Sequence, residues 1–573
     1  MSKAPSQFTI GPFLGRTRIA YFSMEMAIRT EMHTYSGGLG VLAGDTARSC
    51  ADLELPVVFV TLISRQGYLR QEFDTFGWQM SRPDPWDPAQ YATALRAKVA
   101  VPIGGREVWV RPWLYVIESP LGHSIPVLLL DTDLEENHPE DRRITDRLYG
   151  GDSEYRLKQE IVLGICGLRV LSALGFDRIR TYHLNEGHAA LLSLDLLRRF
   201  PRPADQVQNG EVRYDVGRVR DMCIFTTHTP VEAGHDRFSY DLVDRLLGHY
   251  IDIEQLKLLA GKDTMNMTLL ALMLSGYVNG VAARHAETTK RMFPGYRIRA
   301  ITNGVHLPTW VHPAFRDLYN AYFPSWGHEP ELLIQADQLP SDKVRDAHNV
   351  AKRELIEMVA RQCNTRMSPD RPIVGYARRM TSYKRPELIF SDIERLRRIN
   401  GRYPFQLVLS GKAHPNDQPG MAHIQAIHRH IENLKGEMPV AFLPNYDLDV
   451  ARALVPGVDV WLNTPVPPME ASGTSGMKAA LNGGLNLSVL DGWWIEAWIE
   501  GVTGWAIGSD AHRGAAEATA DDLYGKLEDI VLPLYYGNQD GWVNMMKSAI
   551  SKIACYFNTQ RMMRRYAAEA YVR

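Results

Sequence analysis

The sequence predicts two doubly wound α/β domains with a ligand cleft between them. Three observations predict it. Short apolar runs alternate with longer amphipathic stretches along the chain, the pattern of parallel strands joined by helices. These runs form two series, separated by the Thr-Asn-Gly-Val stretch at 302–305. At 573 residues the chain exceeds what one hydrophobic core usually organises.

The first series holds predicted strands at 18–23, 57–64, 125–131, 181–185 and 223–228, with helical patterns at 160–174 and 189–199. The second holds strands at 373–377, 406–410, 440–443, 458–462 and 485–490. The division is 1–302, 303–545 and a closing helix at 546–573 that packs back on the first domain. Ligands of such sheets bind beyond the carboxyl ends of the strands, and a cleft between two of them is a common site.

Composition excludes several classes. Lys plus Arg is 64 and Asp plus Glu is 66, so bulk charge does not hold a nucleic acid. The five cysteines are scattered without a CxxC pair, which fits free thiols in a reducing cytoplasm and no zinc site. The first residues lack the apolar core of a signal peptide. No run of about 18 apolar residues predicts a membrane span.

The most informative stretch is EASGTSGMKAALNGG at 470–484. Its small and hydroxylic residues can curl tightly and aim backbone N–H groups at one anion. A helix starting near Met477 adds its dipole, and Lys478 lies beside the cradle. Lysine forms Schiff bases, and pyridoxal phosphate carries an aldehyde and a phosphate together. The same run also suits a plain capping loop with an exposed lysine.

Other stretches are weaker alone. Ser36-Gly-Gly-Leu-Gly40 precedes a helix pattern at 41–53, which suits a phosphate or an ordinary turn. Arg378, Arg379, Lys384 and Arg385 follow the strand at 373–377, where loop cations converge on an anion or face solvent. His228 and His235 end another strand. Neither has a Cys or carboxylate partner at metal-like spacing, so hydrogen bonding to a polar substrate, or a structural role, is the better reading. Trp310, Tyr446 and the pair Trp493-Trp494 are aromatic walls or core.

Together these stretches resemble the α-glucan phosphorylase family of glycogen, starch and maltodextrin enzymes, from about residue 18 to the end. EASGTSGMKAALNGG is similar to the family's pyridoxal-phosphate lysine motif. SGGLG, ARRMTSYKR, VNGVAARH at 278–285, ITNGVHLPTW at 301–310, LSGKAHP at 409–415 and NYDLDVARALVPGVDVWLN at 445–463 follow in the family's order. AYFSMEMA and DGWW look closer to its compact bacterial and archaeal branch. The resemblance implies two facing Rossmann-like domains of the GT-B glycosyltransferase type. It implies phosphorolysis of terminal α-1,4-glucosidic bonds by inorganic phosphate, with release of α-glucose 1-phosphate. Lys478 is expected to hold pyridoxal 5′-phosphate as a Schiff base. Thr474, Ser475 and Gly476, with Arg378 and Lys384, are expected around its phosphate, and Trp310 and Tyr446 along its ring. Arg379, Lys384, Gly38 and Leu39 are expected on the substrate phosphate. Glu470, Ser472, Gly473, Asn303 and His228 are expected on the glucose. A homodimer is left open.

The resemblance gives the cation count a reason. Two unit charges about 5 Å apart repel by roughly 3 kcal/mol at an effective dielectric near 20. Each phosphate carries more than one charge near neutral pH. One cation does not offset that repulsion; Arg378, Arg379 and Lys384 together do. In this scheme the lysine anchors the cofactor, and the cofactor phosphate does the acid–base work.

Some residues depart from the family's pattern. Ala27 stands where many relatives have an aromatic. Arg378 stands where lysine is common. His228, His235 and His249 compete for the sugar 6-hydroxyl. Phosphorylation and nucleotide control of the animal kind is not expected. Two alternatives share the architecture: a nucleotide-sugar glucan synthase and a non-catalytic glucan-binding relative. Synthases resembling this loop carry a second glutamate eight residues after the first; here that residue is Lys478.

Overall fold

A computed structural model describes residues 8–208, 210–508 and 516–572. Two large sheets organise them. The first runs in the order Ile298–Ala300, Tyr277–Gly280, Cys223–Thr226, Thr181–Asn185, Ile19–Ser23, Val57–Leu62, Ser124–Asp131 and Arg106–Glu118. Its strands are parallel as far as Ser124–Asp131, which Arg106–Glu118 then joins antiparallel. The second has six parallel strands, ordered Val440–Leu443, Gln406–Ser410, Ile373–Ala377, Val460–Asn463, Leu485–Val489 and Gly504–Ile507. Every residue of Ile373–Ala377 is buried, as a strand covered on both faces requires.

This is a mixed α/β architecture with parallel sheets. Four predicted strands, at 181–185, 373–377, 406–410 and 440–443, coincide with observed ones. Others shift: the strand expected over 458–462 is Val460–Asn463, and His228 lies outside its strand. The helix expected over 160–174 begins earlier, at Ser153, because the Asp152 side chain caps it by accepting from the Tyr155 N–H. The antiparallel strand Arg106–Glu118 went unpredicted. Pro112 interrupts its pattern, and the Gly104-Gly105 turn joins it to Val99–Ile103.

The second sheet reverses between Ile373–Ala377 and Val460–Asn463, so the loops leaving these strands diverge and open a crevice. Among the connections between the sheets are a hairpin and a chain crossing. The antiparallel hairpin Arg70–Phe73 with Gln79–Arg82 lies over the second sheet's loops. Gln71 and Asn445 exchange hydrogen bonds of 2.9 Å in both directions, and Gln79 does so with Ala413 at 2.9 and 3.0 Å. Phe73 packs edge-on against Phe442, with ring centres 5.6 Å apart.

The other connection is the crossing near residue 304. Val305 donates to the Phe557 carbonyl and accepts from Thr559. A side chain at Gly304 would lie 2.3 Å from the Asn558 carbonyl carbon, so only glycine permits this approach. Beyond the crossing, Met562, Met563, Tyr566 and Ala570 enter the core beside Ile19, Tyr21 and Phe59. Burying each methionine contributes about 1.5–3 kcal/mol, which helps hold the end of the chain on the first sheet.

Candidate active site

The crevice at the reversal collects charge. The loop after Ile373–Ala377 carries Arg378, Arg379 and Lys384; the loop after Val460–Asn463 leads to Glu470. Arg378 Nη2 donates to Glu470 Oε2 at 2.7 Å, and Lys384 Nζ pairs with the same oxygen. Burial opposes ionisation of Glu470, yet the charges of Arg378 and Lys384 outweigh it and hold the carboxyl at about 2. Burial, then repulsion from Arg378, brings Lys384 down to about 8 despite Glu470. Arg378 Nε and Nη1 are buried and make no hydrogen bond among the described residues. Leaving buried donors unpaired costs about 1–3 kcal/mol each, so these N–H groups favour an anionic guest.

Asp491 braces the loop from behind. Its carboxylate accepts from the Glu470 and Gly492 N–H groups, at 2.9 Å each, and burial raises it to about 6. Gly473 takes φ +76, the left-handed region that lets this loop turn back. Ser472 is buried, and its carbonyl accepts from the Trp493 N–H. Thr474 is the N-cap of the helix Ser475–Leu481, and Ser475 Oγ accepts from Trp461 Nε1 at 3.0 Å. A side chain at Gly476 would meet Asn486 Oδ1 at 2.2 Å.

Lys478 sits in the next turn, buried rather than exposed at the mouth of the cradle, since this helix packs its whole face into the core. Its Nζ lies 3.6 Å from the centre of the Trp310 ring. Burial lowers it to about 8, with Asp45 pulling the other way. A buried amine with a near-neutral pKa, over an aromatic face and without a hydrogen-bonded carboxylate, is chemically fit to condense with an aldehyde. The unpaired Arg378 donors, on the loop that pairs with Glu470 eight residues before Lys478, suit a phosphate. The residues therefore suit pyridoxal phosphate.

The remaining predicted residues fall into three places. Tyr446 is half-buried beside the same crevice, after Asn445, which has φ +60. Arg379 is exposed and turned toward the first sheet, near enough to Tyr68 and His414 to act on their ionisation. Gly38 is exposed and Leu39 partly so, at the start of the helix Gly38–Asp52. His228 is partly buried beyond the first sheet's strand ends, and desolvation lowers it to about 3. Asn185 Nδ2 donates to Ser23, so its Oδ1 faces His228 Nε2 at 2.7 Å and fixes the proton on Nε2. Asn303 is buried, and its Oδ1 has no hydrogen-bond partner among the described residues. His235 is tied to Thr268 at 2.8 Å, and His249 lines a separate surface cavity of about 570 Å³ with Arg198 and Asp252. Ala27 is buried and donates its N–H to the Gly40 carbonyl, so the main chain at this position backs the glycine turn.

Two residues that the sequence reading passed over shape the site. Glu25 Oε2 accepts from the Ser36 N–H and Oγ and the Gly37 N–H, at 2.6, 3.1 and 3.2 Å, while Tyr149 donates to Oε1 at 2.9 Å. It thereby sets the glycine turn. Asp45 accepts from Trp310 Nε1 at 2.7 Å and from the His306 N–H at 3.1 Å. Glu25 just beyond the end of Ile19–Ser23 was a usable signal; Asp45 within a helix was not.

A carbohydrate phosphorylase family model matches residues 235–503. Maltodextrin phosphorylase of Thermococcus litoralis is 38% identical over 96% of this chain and 70% of its own length. Glycogen phosphorylase of Mycobacterium tuberculosis is 36% identical over 97% and 71%. Glycogen phosphorylase of Aquifex aeolicus is 33% identical over 96% and 86%. This chain belongs to the carbohydrate phosphorylase family. No helix among the described residues is long and apolar enough to cross a membrane.

Proposed function

We propose that this protein is a pyridoxal-phosphate-dependent α-glucan phosphorylase. It transfers the terminal glucosyl unit of an α-1,4-glucan to inorganic phosphate and releases α-glucose 1-phosphate with retention. The observation that carries the reading is the placement of buried Lys478 under Trp310, eight residues along the chain from Glu470, which pairs with Arg378 and Lys384. The relatives' names support it.

In this reading the two sheets are the cores of facing GT-B domains, 1–302 and 303–545, and 546–573 returns to the first. Lys478 tethers the cofactor, and Trp310 and Tyr446 line its ring. Arg378, Lys384, Thr474, Ser475 and Gly476 hold its phosphate. When bound, that phosphate supplies a proton donor and acceptor for the substrate phosphate. Arg379 and Lys384 grip the substrate phosphate from the second domain, and the main-chain N–H groups of Gly38 and Leu39 approach it from the first. Glu470, Ser472 and Gly473 hold glucose hydroxyls. Asn303 offers its unpaired Oδ1, and His228, protonated on Nε2, offers Nδ1 as an acceptor. Closure of both domains excludes water, which keeps the glucosyl unit for phosphate. The protein acts in the cytoplasm.

The test is spectroscopic. Purified protein should show a near-ultraviolet band from a lysine-bound aldehyde, and borohydride should fix the cofactor to Lys478. A protein without the band, and with no modified Lys478 peptide, overturns the reading.

A further inference from the structure

The helix Gly38–Asp52 begins at the glycine turn and, two turns on, carries Asp45. Asp45 is 1% exposed. One of its oxygens, Oδ2, receives both the Trp310 indole N–H at 2.7 Å and the His306 main-chain N–H at 3.1 Å. The other, Oδ1, is buried and makes no hydrogen bond among the described residues, and its nearest cation is Arg48 Nη1 at 3.6 Å. The held indole then presents its face to Lys478 Nζ at 3.6 Å, well inside cation–π range. An indole that donates to a carboxylate is richer in electrons and a better seat for an ammonium.

We infer that Asp45 is the positioning residue for Lys478: it locks Trp310 over Nζ and brings a negative charge from the first sheet's side to that amine. The inference rests on the reading of Lys478 as the aldehyde-binding amine. One helix then serves both halves of the site, with the glycine turn at its start and Asp45 behind it.

Other charged groups on the surrounding elements are engaged elsewhere. His306 is turned to Asp52 at 2.8 Å. Arg452 pairs with Asp449 at 3.2 Å, and Asp540 lies 3.7 Å from Arg345. Lys547 and Lys552 bind the Leu339 carbonyl and Asp337. Arg48 also donates to the Ile28 carbonyl at 2.5 Å. Among the described residues, the downward pull of burial on Lys478 is accordingly opposed by Asp45.

The test uses the full-length chain and pyridoxal, which has the aldehyde without the phosphate. Fixation at Lys478 by borohydride is followed across pH by mass spectrometry of the Lys478 peptide. Asp45→Asn keeps an acceptor for both N–H groups and removes the charge. It should move the pH of half-maximal fixation down by about one unit, because an ammonium that loses a nearby opposite charge gives up its proton more easily. Trp310→Phe keeps a ring but has no N–H for Asp45, and should move it the same way by less. Midpoints unchanged in both variants overturn the inference while leaving the cofactor reading intact. If the unsubstituted chain fixes no pyridoxal at Lys478, the cofactor reading falls, and this inference with it.

Discussion

The loops of the two sheets present donors of different kinds. The second sheet's loops bring side-chain charge: Arg378, Lys384 and Glu470 in one buried cluster, with Arg379 at its edge. The first sheet's glycine turn brings main-chain N–H groups, and the first turn of its helix holds no charged residue. There the carboxylate of Glu25 sits behind the turn as a brace. Buried side-chain charges give strength and titrate. Main-chain donors give geometry and do not. Substitutions on the second side should therefore have larger effects that depend on pH, and those at the glycine turn smaller effects that do not.

The largest expected effect is at the tether. Lys478→Ala should abolish release of glucose 1-phosphate and borohydride fixation together; retained turnover would place the chemistry elsewhere. Next comes Arg379→Ala. Removing one group that stabilises developing charge costs about 10²–10³-fold in turnover, so kcat/KM for phosphate should fall by about that factor. A loss below about tenfold would mean that Arg379 faces solvent and not substrate.

The pH dependence has a definite sign. Lys384 is lowered to about 8, so its positive charge is present below that pH and lost above it. KM for phosphate should climb about tenfold per unit above pH 8. Lys384→Arg should remove that limb, because a guanidinium stays charged. Between about 8 and 10.5 the unfolded chain binds the extra proton, so thermal stability should rise with pH there. Glu470 works oppositely: its folded value of about 2 lies below the ordinary 4.5, so its contribution is complete above 4.5 and is lost as pH falls toward 2. The smallest effect is at the first sheet. Glu25→Gln keeps the shape but weakens hydrogen bonds to a charged acceptor, each of which contributes about 1.5–3 kcal/mol. KM for phosphate should rise about tenfold with the same pH profile; a changed profile would break the contrast between the two sides.

Much of this was legible in the residues. The strand 373–377 and the cations after it were readable, because a fully buried parallel strand is a continuous apolar run and a polar loop must follow it. The small-residue loop before Lys478 was readable for the same reason. Burial of Lys478 was not, because spacing does not reveal which face of a seven-residue helix is covered. Nor was the pairing of Glu470 with Arg378, which lies 92 positions away. The antiparallel flank was hidden by Pro112, and the roles of Glu25 and Asp45 appear only when distant elements meet.

The central claim is that the charged cluster and the tethered lysine together make a phosphorolytic site. The most direct measurement gives the purified protein inorganic phosphate and a ladder of maltooligosaccharides, and follows glucose 1-phosphate. Phosphate-dependent release that shortens the glucan from one end, and that is absent from Lys478→Ala, is expected. No release with phosphate, or glucan extension that requires a sugar nucleotide, would contradict it.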